Sequence, residues 1–465
     1  MNRSSPIRLH RERGAGLLET LVGVTIGLIV VLVIYNLLAV AEGYKRMTTG
    51  NADAQITGLI SHFVTSQDAA NGGNGLSSAY SDLINCNVDE GDVGFAGRED
   101  MSLKPIPVMI TKGGNADTSD SFISRGSAST HVVWPVPIRP QPGPPPVKII
   151  PPGGPIQVQS PTGFMTPAKV SLPKGGVNEA HWAVIFANNG TGRCALIKIV
   201  NAVPSADMAT SGEVVLTQGV PATTINYTGE AQNDAGQGAY LLSLGNELDA
   251  LRIRYDVQRA AAVCGATVCQ TGQLRSTNCM TAVGCTGQAP NPIAQGVVLM
   301  KVQFGIDTSP PLLNGTLDGT VNCWTSDTES CPVNLPPAVI PNWDPATLIK
   351  AGNDPAIPAN ALNRIVAVRI GLVVQSDEPD MRDPALFITS ATTLDGKSGT
   401  RPAPGALNQA HLFNCPANTD IGCPGRVAIS AGTALTDIMQ NGWRYRTYEA
   451  VIPLRNSIYA ATLPP

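Results

Sequence analysis

Polar side chains all but vanish between Ala15 and Val40: only Glu19, Thr20, Thr25, Tyr35 and Asn36 carry polar side-chain atoms, and no Lys or Arg interrupts the run. About 20 consecutive apolar residues cross the hydrocarbon core of a bilayer, so this run predicts a spanning helix with its transmembrane part at about 17–40. Four arginines, Arg3, Arg8, Arg11 and Arg13, precede it. The positive-inside rule then keeps residues 1–14 in the cytoplasm and places everything after Tyr44 beyond the membrane. An ordinary secretory signal has a shorter apolar region followed by a small-residue cleavage site. Here the region is longer, and only Ala39-Val40-Ala41 imitates such a site. The helix is expected to continue: Ala41 to Asp68 holds no proline, and Tyr44, Met47, Ile56, Ile60 and Phe63 recur at intervals that share one helical face. That face is expected to pack on a globular head. Gly43, Gly50 and Gly58 weaken the helix locally, and the Gly- and Asn-rich run Ala70–Ser77 ends it. A helix over residues 15–69 would be about 80 Å long at 1.5 Å per residue.

Beyond residue 70 the period changes from helical to alternating. Candidate strands are Val108–Thr111, Trp182–Phe186, Cys194–Val200, Glu213–Thr217, Tyr240–Ser243, Leu251–Val257, Val298–Gly305, Ile365–Val374 and Tyr448–Leu454. Several alternate apolar and polar residues, as Ile197-Lys198-Ile199 does, the pattern of a sheet with one covered face. The expected fold class is therefore α+β, a long N-terminal transmembrane and amphipathic helix packed on a β-rich globular head with long loops over 70–465. Three stretches read as insertions. Trp134–Pro155 is crowded with proline and is expected to be a rigid surface loop that cannot serve as a central strand. Cys264–Asn291, rich in Thr, Gly and Cys, is expected to be a stapled loop between two strands, and Pro310–Pro358 to be irregular.

Composition sharpens this picture. Charged residues make up 14% and aromatics 5%, against 47 Gly and 38 Pro, a mixture that fits a loop-rich exported β domain better than a helical enzyme. The formal charge is −4, and losing residues 1–14 with their four Arg would make it more acidic still. Nothing in that balance attracts nucleic acid. All ten cysteines follow the apolar run: Cys86, Cys194, Cys264, Cys269, Cys279, Cys285, Cys323, Cys331, Cys415 and Cys423. An even count on the exported side suggests disulfides in an oxidising compartment. Close pairs Cys264/Cys269, Cys279/Cys285, Cys323/Cys331 and Cys415/Cys423 would leave Cys86 and Cys194 to each other. A pairing of Cys264 with Cys285 and Cys269 with Cys279 is equally open to the sequence. The Cys/His spacing of a zinc site is absent.

Glu19 needs a reason, because a carboxylate within a spanning helix is costly and is normally partnered. Gly14 stands five residues before it, at the end of the basic leader. Leader, glycine and carboxylate together resemble the signal of type IV prepilins. The resemblance implies that a prepilin peptidase cuts between Gly14 and Ala15, removing a leader of residues 1–14, and methylates the new N-terminus. Ala15 departs from the Phe usual at that position, which bears on methylation. It also implies that Glu19 docks on the N-terminal amine of a neighbouring subunit, neutralising two buried charges and fixing axial register. Gly23 and Gly27 form a small-xxx-small pair of the kind that lets helices approach closely in lipid. Three further segments, Gly296–Asp307, Asn363–Ser376 and Tyr448–Asn456, resemble the PilW family of minor pilins. That resemblance implies a pilin-like fold and a place in the bacterial inner membrane with a single pass and a periplasmic head. It further implies incorporation into the pilus (fimbrium) and a role in assembly or initiation near its tip, supporting adhesion and twitching motility. The implied partners are other minor pilins, the major pilin, the inner-membrane assembly machinery and a tip adhesin. A type II secretion pseudopilin and a pilus-associated surface adhesin are the alternatives.

No catalytic constellation emerges, and neither a cofactor nor enzymatic activity is expected. Of five histidines His10 lies in the leader, His62 on the helix, and His131, His181 and His411 are scattered. A nucleophile elbow, a zincin helix and a phosphate-binding loop are all missing. Asp307 and Asp318 flank a Gly-containing loop without the calcium-loop pattern.

Overall fold

The computed structural model describes residues 16–76, 83, 105–113, 118–127, 135–140, 149–150, 155–159, 181–187, 194–204, 213–218, 229–230, 238–246, 250–264, 267–279, 285, 289–309, 317–325, 333–335, 338–340, 343–348, 350, 359–376, 410–413, 427–429 and 445–454. One helix, α1 (Leu17–Ala70), runs unbroken through Gly43, Gly50 and Gly58. Gly16 caps it through its carbonyl, which accepts from the N–H groups of Glu19 and Thr20 at 2.8 and 3.2 Å. Turns over residues 71–76 end it, with the Asn71 N–H returning to the Gln67 carbonyl at 3.0 Å.

Strands follow in chain order. The first two are β1 (Val108–Thr111) and β2 (Ser121–Ser127). Next come β3 (Val136–Arg139), β4 (Ile149–Ile150), β5 (Pro155–Gln159), β6 (His181–Ala187), β7 (Cys194–Pro204), β8 (Glu213–Gln218), β9 (Gly229–Glu230) and β10 (Ala239–Asn246). Then β11 (Ala250–Cys264), β12 (Thr267–Asn278), β13 (Asn291–Gln295), β14 (Val297–Ile306), β15 (Cys323–Thr325), β16 (Val333–Leu335) and β17 (Ala338–Ile340) lead to a one-turn helix α2 (Pro345–Leu348). A 3-10 turn, Ala359–Arg364, opens the final set, β18 (Ile365–Gln375), β19 (Ala410–Leu412), β20 (Val427–Ile429) and β21 (Tyr445–Pro453).

These strands make a five-stranded sheet in the order β1-β2-β11-β12-β13, a four-stranded sheet β15-β14-β18-β21, and a closed barrel β10-β3-β5-β8-β7-β6. Three two-stranded ribbons accompany them. One core lies where α1 meets the two open sheets. It gathers Ala54 and Ala69 from the helix, Phe122 and Tyr255 from the five-stranded sheet, and Val302, Phe304, Val368, Ile370 and Ile452 from the four-stranded one. A buried ion pair ties the sheets together: Lys301 Nζ lies 3.1 Å from Asp120 Oδ1, whose other oxygen accepts the Val302 N–H at 3.0 Å.

Three expectations need correction. The Pro-rich stretch supplies β3, a strand inside the barrel. Its first half, Val136 and Pro137, pairs only with β10, and its second half, Ile138 and Arg139, only with β5. Each residue is laddered on one side, so β3 tolerates Pro137 better than a strand paired on both sides along its whole length would. The first part of the Cys-rich stretch is a strand, β12, paired with β11 from Cys264↔Thr267 to Ile253↔Asn278, and the stapled part is the short loop closed by Cys279–Cys285. The Thr and Val residues of β12 favour extended backbone although its polarity suggested a loop. Gly272 marks where β12 crosses the start of β14, since a Cβ there would stand 1.9 Å from the Val297 carbonyl oxygen. Within Pro310–Pro358 the described residues include β15, β16, β17 and α2 rather than irregular chain alone.

Candidate functional site

The helix turns an unexpected side to the head. Tyr44, Ile56, Ile60 and Phe63, expected to pack against it, are exposed; the Met47 side chain lies outside the described residues. The buried positions are Gly50, Ala54, Gly58, Ser61, Thr65 and Ala69, spaced by three or four residues along one face. Small residues win that face because they let the helix backbone close on the sheet. Gly58 shows it best: a Cβ there would lie 2.0 Å from Tyr448 Cε2 on β21. The Tyr448 hydroxyl donates to the Ala54 carbonyl at 3.3 Å, and His62 Nε2 stands 3.3 Å from the Glu449 carbonyl oxygen.

Farther along, the helix end is anchored by polar contacts. Ser124 Oγ donates to the Asp68 carbonyl at 2.5 Å, and the Tyr255 hydroxyl donates to the Asp68 carboxylate. Burial pushes the Asp68 carboxyl up, against the opposing pull of the Tyr255 hydrogen bond. Burial first, then the hydrogen bond and charge of Asp68, push the Tyr255 phenol up as well. The Tyr255 ring stacks on Phe122 with centroids 5.0 Å apart.

The apolar half of α1 touches no part of the head. Leu17, Leu18 and Leu21 through Leu38 present their side chains outward, and a Cβ added at Gly23 or Gly27 would meet nothing within 4 Å. Thr20 and Thr25 satisfy their hydroxyls on the helix itself, donating to the carbonyls of Leu17 and Val22 at 2.9 Å each. Such internal bonding is what an apolar solvent demands. Glu19 sits in the first turn, where the positive end of the helix dipole favours a carboxylate. Among the described residues no side chain pairs with it. Gly14 and Ala15 lie outside the described residues, as does the leader.

Elsewhere on the head the polar groups hold structure. Arg369 is sandwiched between Trp324 and Phe413, its guanidinium carbon 4.7 and 4.3 Å from the two ring centroids, while its Nε donates to Gln303 Oε1 at 2.7 Å. The Phe413 N–H donates to Glu449 Oε1 at 2.7 Å. Burial raises the Glu449 carboxyl, with that hydrogen bond and the Arg369 charge opposing. Both oxygens of the buried Asp307 carboxylate are taken by backbone, accepting from Ser309 and Gly319 at 2.9 Å each. The carboxylate thus pins its loop. Among the described residues no three or more His, Cys, Asp or Glu side chains converge as metal ligands would. A disulfide joins Cys279 to Cys285, the local one of the two pairings open for that segment. Cys194 and Cys323 are also disulfide-bonded; Cys86, Cys331, Cys415 and Cys423 lie outside the described residues.

The strands β14, β18 and β21 carry the three segments singled out in the sequence. They sit in one sheet, with α1 laid across β18 and β21. Residues 254–456 match the family model of PilW, Type IV Pilus-assembly protein W. The match takes in the whole four-stranded sheet and most of β11, β12 and β13, and supports assignment to PilW. No curated protein and no solved structure matches the chain. Similarity to PilW, together with a long helix packed on a β-rich body, supports a general pilus-assembly, pilin-like role. Among the described residues α1 is the one helix long and apolar enough to cross a membrane. With the β-rich body at its far end, the layout is that of a single-pass membrane protein.

The sequence reading missed the Gly58–Tyr448 seat, the Lys301–Asp120 pair and the Asp68–Tyr255 bond. Only the first had a local signal: small residues at 50, 54, 58, 61, 65 and 69 keep helical spacing. The other two join residues 181 and 187 positions apart in the chain.

Proposed function

We propose that this chain is a minor pilin, cut between Gly14 and Ala15, held in the inner membrane by α1, and added to a type IV pilus where it helps to initiate assembly near the tip. One observation carries the reading: α1 meets its head mainly through a stripe of small residues, with Val64 beside them, and keeps most of its large apolar side chains outward on both halves. Leu17–Val40 does so in the membrane segment, and Ile56, Leu59, Ile60 and Phe63, at 56%, 61%, 48% and 64% exposure, do so beside the head. A bundle of such helices would bury that surface, at about 25 cal/mol per Å² removed from water beyond the membrane. Within lipid, close packing at Gly23 and Gly27 takes over, because hydrocarbon offers no hydrophobic drive between helices. Glu19, placed in the first turn without an internal partner, then docks on the amine of an adjacent Ala15. Other minor pilins and the major pilin supply the neighbouring helices, and adhesion and twitching motility follow from the filament.

Mass spectrometry of the purified chain should show a mature N-terminus at Ala15, and the chain should co-purify with sheared pili. Glu19→Ala should be processed normally yet recovered in pili at a small fraction of the wild-type amount. A chain beginning at Met1, or normal recovery of Glu19→Ala, would refute the docking role. Intact piliation with failed protein secretion in a deletion strain would instead favour the pseudopilin alternative.

A further inference from the structure

The barrel lies wholly outside the segment that resembles PilW, although Cys194 on β7 is disulfide-bonded to a cysteine outside residues 128–249, which hold no other cysteine, and β10 packs on β2 and β11. Its strands β3, β5, β6, β7, β8 and β10 all come from residues 136–246, upstream of the match at 254–456. The chain enters it from β2 and leaves it into β11, and these two strands are antiparallel partners, with Ala250 directly opposite Ser127. Both ends of the insertion therefore leave the five-stranded sheet at one point, as the two sides of a hairpin do. Facing strands in such a pair lie about 5 Å apart, close enough for a two-residue turn to join them.

The barrel also has its own interior. Ile138, Ile156, Ile185 and Leu241 are fully buried, yet among the described residues the core between α1 and the open sheets includes none from 136–246. Closure pairs every strand on both sides, β6 with β10 completing the ring, so the unit borrows no strand from its host. A segment over residues 128–249 falls well within the size of autonomous domains, about 50–250 residues.

From these observations we infer that residues 128–249 are an inserted domain that folds on its own core, which the PilW-like scaffold carries but does not need for folding, membrane insertion or entry into the pilus. The last clause rests on the function proposed above; the folding clauses do not.

Two variants of the full chain in detergent test it by amide hydrogen exchange. Ile156→Asp places an unpaired charge in the barrel interior. Exchange in β5, β6, β7 and β8 should quicken about 100-fold or more, while β14, β18 and β21 stay within about twofold of wild type. In the second variant an Asn-Gly turn replaces 128–249 and joins Ser127 to Ala250; because this removes the disulfide-bonded Cys194, its exchange is compared with that of a full-length Cys194→Ser chain. Exchange in β14, β18 and β21 should again be unchanged, and recovery in sheared pili should equal that of wild type. Protection lost from β14 or β18 in either variant would overturn the independent domain. Recovery falling more than about tenfold with protection intact would overturn the dispensability for assembly alone. Absence of the wild-type chain from pili would refute the minor-pilin reading and that clause with it, and would leave the exchange result to decide the folding claim.

Discussion

Replacing Gly58 by alanine sets two effects of opposite sign against each other. In an exposed helix interior Gly→Ala stabilises by about 1 kcal/mol. At residue 58 the new methyl would stand 2.0, 2.2 and 2.6 Å from Cε2, Cζ and Cδ2 of Tyr448, where carbon atoms prefer about 3.5–4.0 Å. The ring must therefore leave its seat. It then loses its hydroxyl bond to the Ala54 carbonyl, 3.3 Å long, a contribution of about 1 kcal/mol. It also re-exposes about a third of an aromatic side chain, about 50–80 Å², which costs about 1–2 kcal/mol. The balance is a loss of about 1–2 kcal/mol, concentrated where α1 meets β21. Urea unfolding of the detergent-solubilised full chain should show a lower midpoint, with exchange quickened in residues 50–65 and in β21. In a Tyr448→Ala background nothing opposes the methyl, and Gly58→Ala should stabilise by about 1 kcal/mol, a coupling of about 2–3 kcal/mol across the cycle. If Gly58→Ala stabilises the wild-type chain, or has the same effect in both backgrounds, the close seat of Tyr448 on the helix is refuted.

Other consequences are equally specific. Lys301→Met or Asp120→Ala leaves one member of a pair with 5% and 2% side-chain exposure unmatched, so each should lower unfolding stability by about 3–5 kcal/mol; the double variant should lose less than the sum, and strict additivity would count against the pair. The Asp68 carboxyl is raised by burial above its ordinary 3.8; the unfolded chain then gives up its proton first, so this group's stabilisation is complete below pH 3.8 and is lost as pH rises through the folded value. Asp68→Asn should therefore gain stability relative to wild type as pH rises from about 4, in paired urea titrations, and a difference independent of pH would sink the assignment. Gly14→Ala should slow removal of the leader, and a bulky replacement should slow it further, read as the ratio of uncut to cut chain on a gel; unchanged processing would move the cut site elsewhere.

Much of the fold is written locally. The apolar run and the proline-free stretch after it set a helix over 15–68, and α1 spans Leu17–Ala70. Strands with alternation, such as β11, or with long apolar runs, such as β14 and β18, fall where the pattern places them. What stayed hidden depends on partners far away in the chain. Tyr44, Ile56, Ile60 and Phe63 form a plausible packing face by hydrophobicity, but the head offers Tyr448 as a large knob and so selects the glycine side of the helix. Pro137 argues against a strand until the stagger of β3 between β10 and β5 is known. The closing pair of the barrel, β6 with β10, obeys no local rule at all. Glu19, Gly23 and Gly27 stand out in the sequence because a carboxylate in a spanning helix is costly and small residues let helices approach closely in lipid; their roles rest on the proposed function. The head contributes no comparable local signal, since its polar groups are spent on holding loops and strands.

The outward row formed by Ile56, Leu59, Ile60 and Phe63 has a bearing on how the molecule travels. At 1.5 Å per residue Phe63 stands roughly 35 Å beyond Val40 along the helix axis, past any reach of the hydrocarbon. Under the proposed pilus role, a subunit waiting alone in the bilayer would wet an apolar strip that the neighbouring helices of a filament would dry. Solitary copies should be sticky, and surplus chain made without its companions should clump or be degraded. On that proposal, supply of this protein would be matched to the supply of the chains that shelter it.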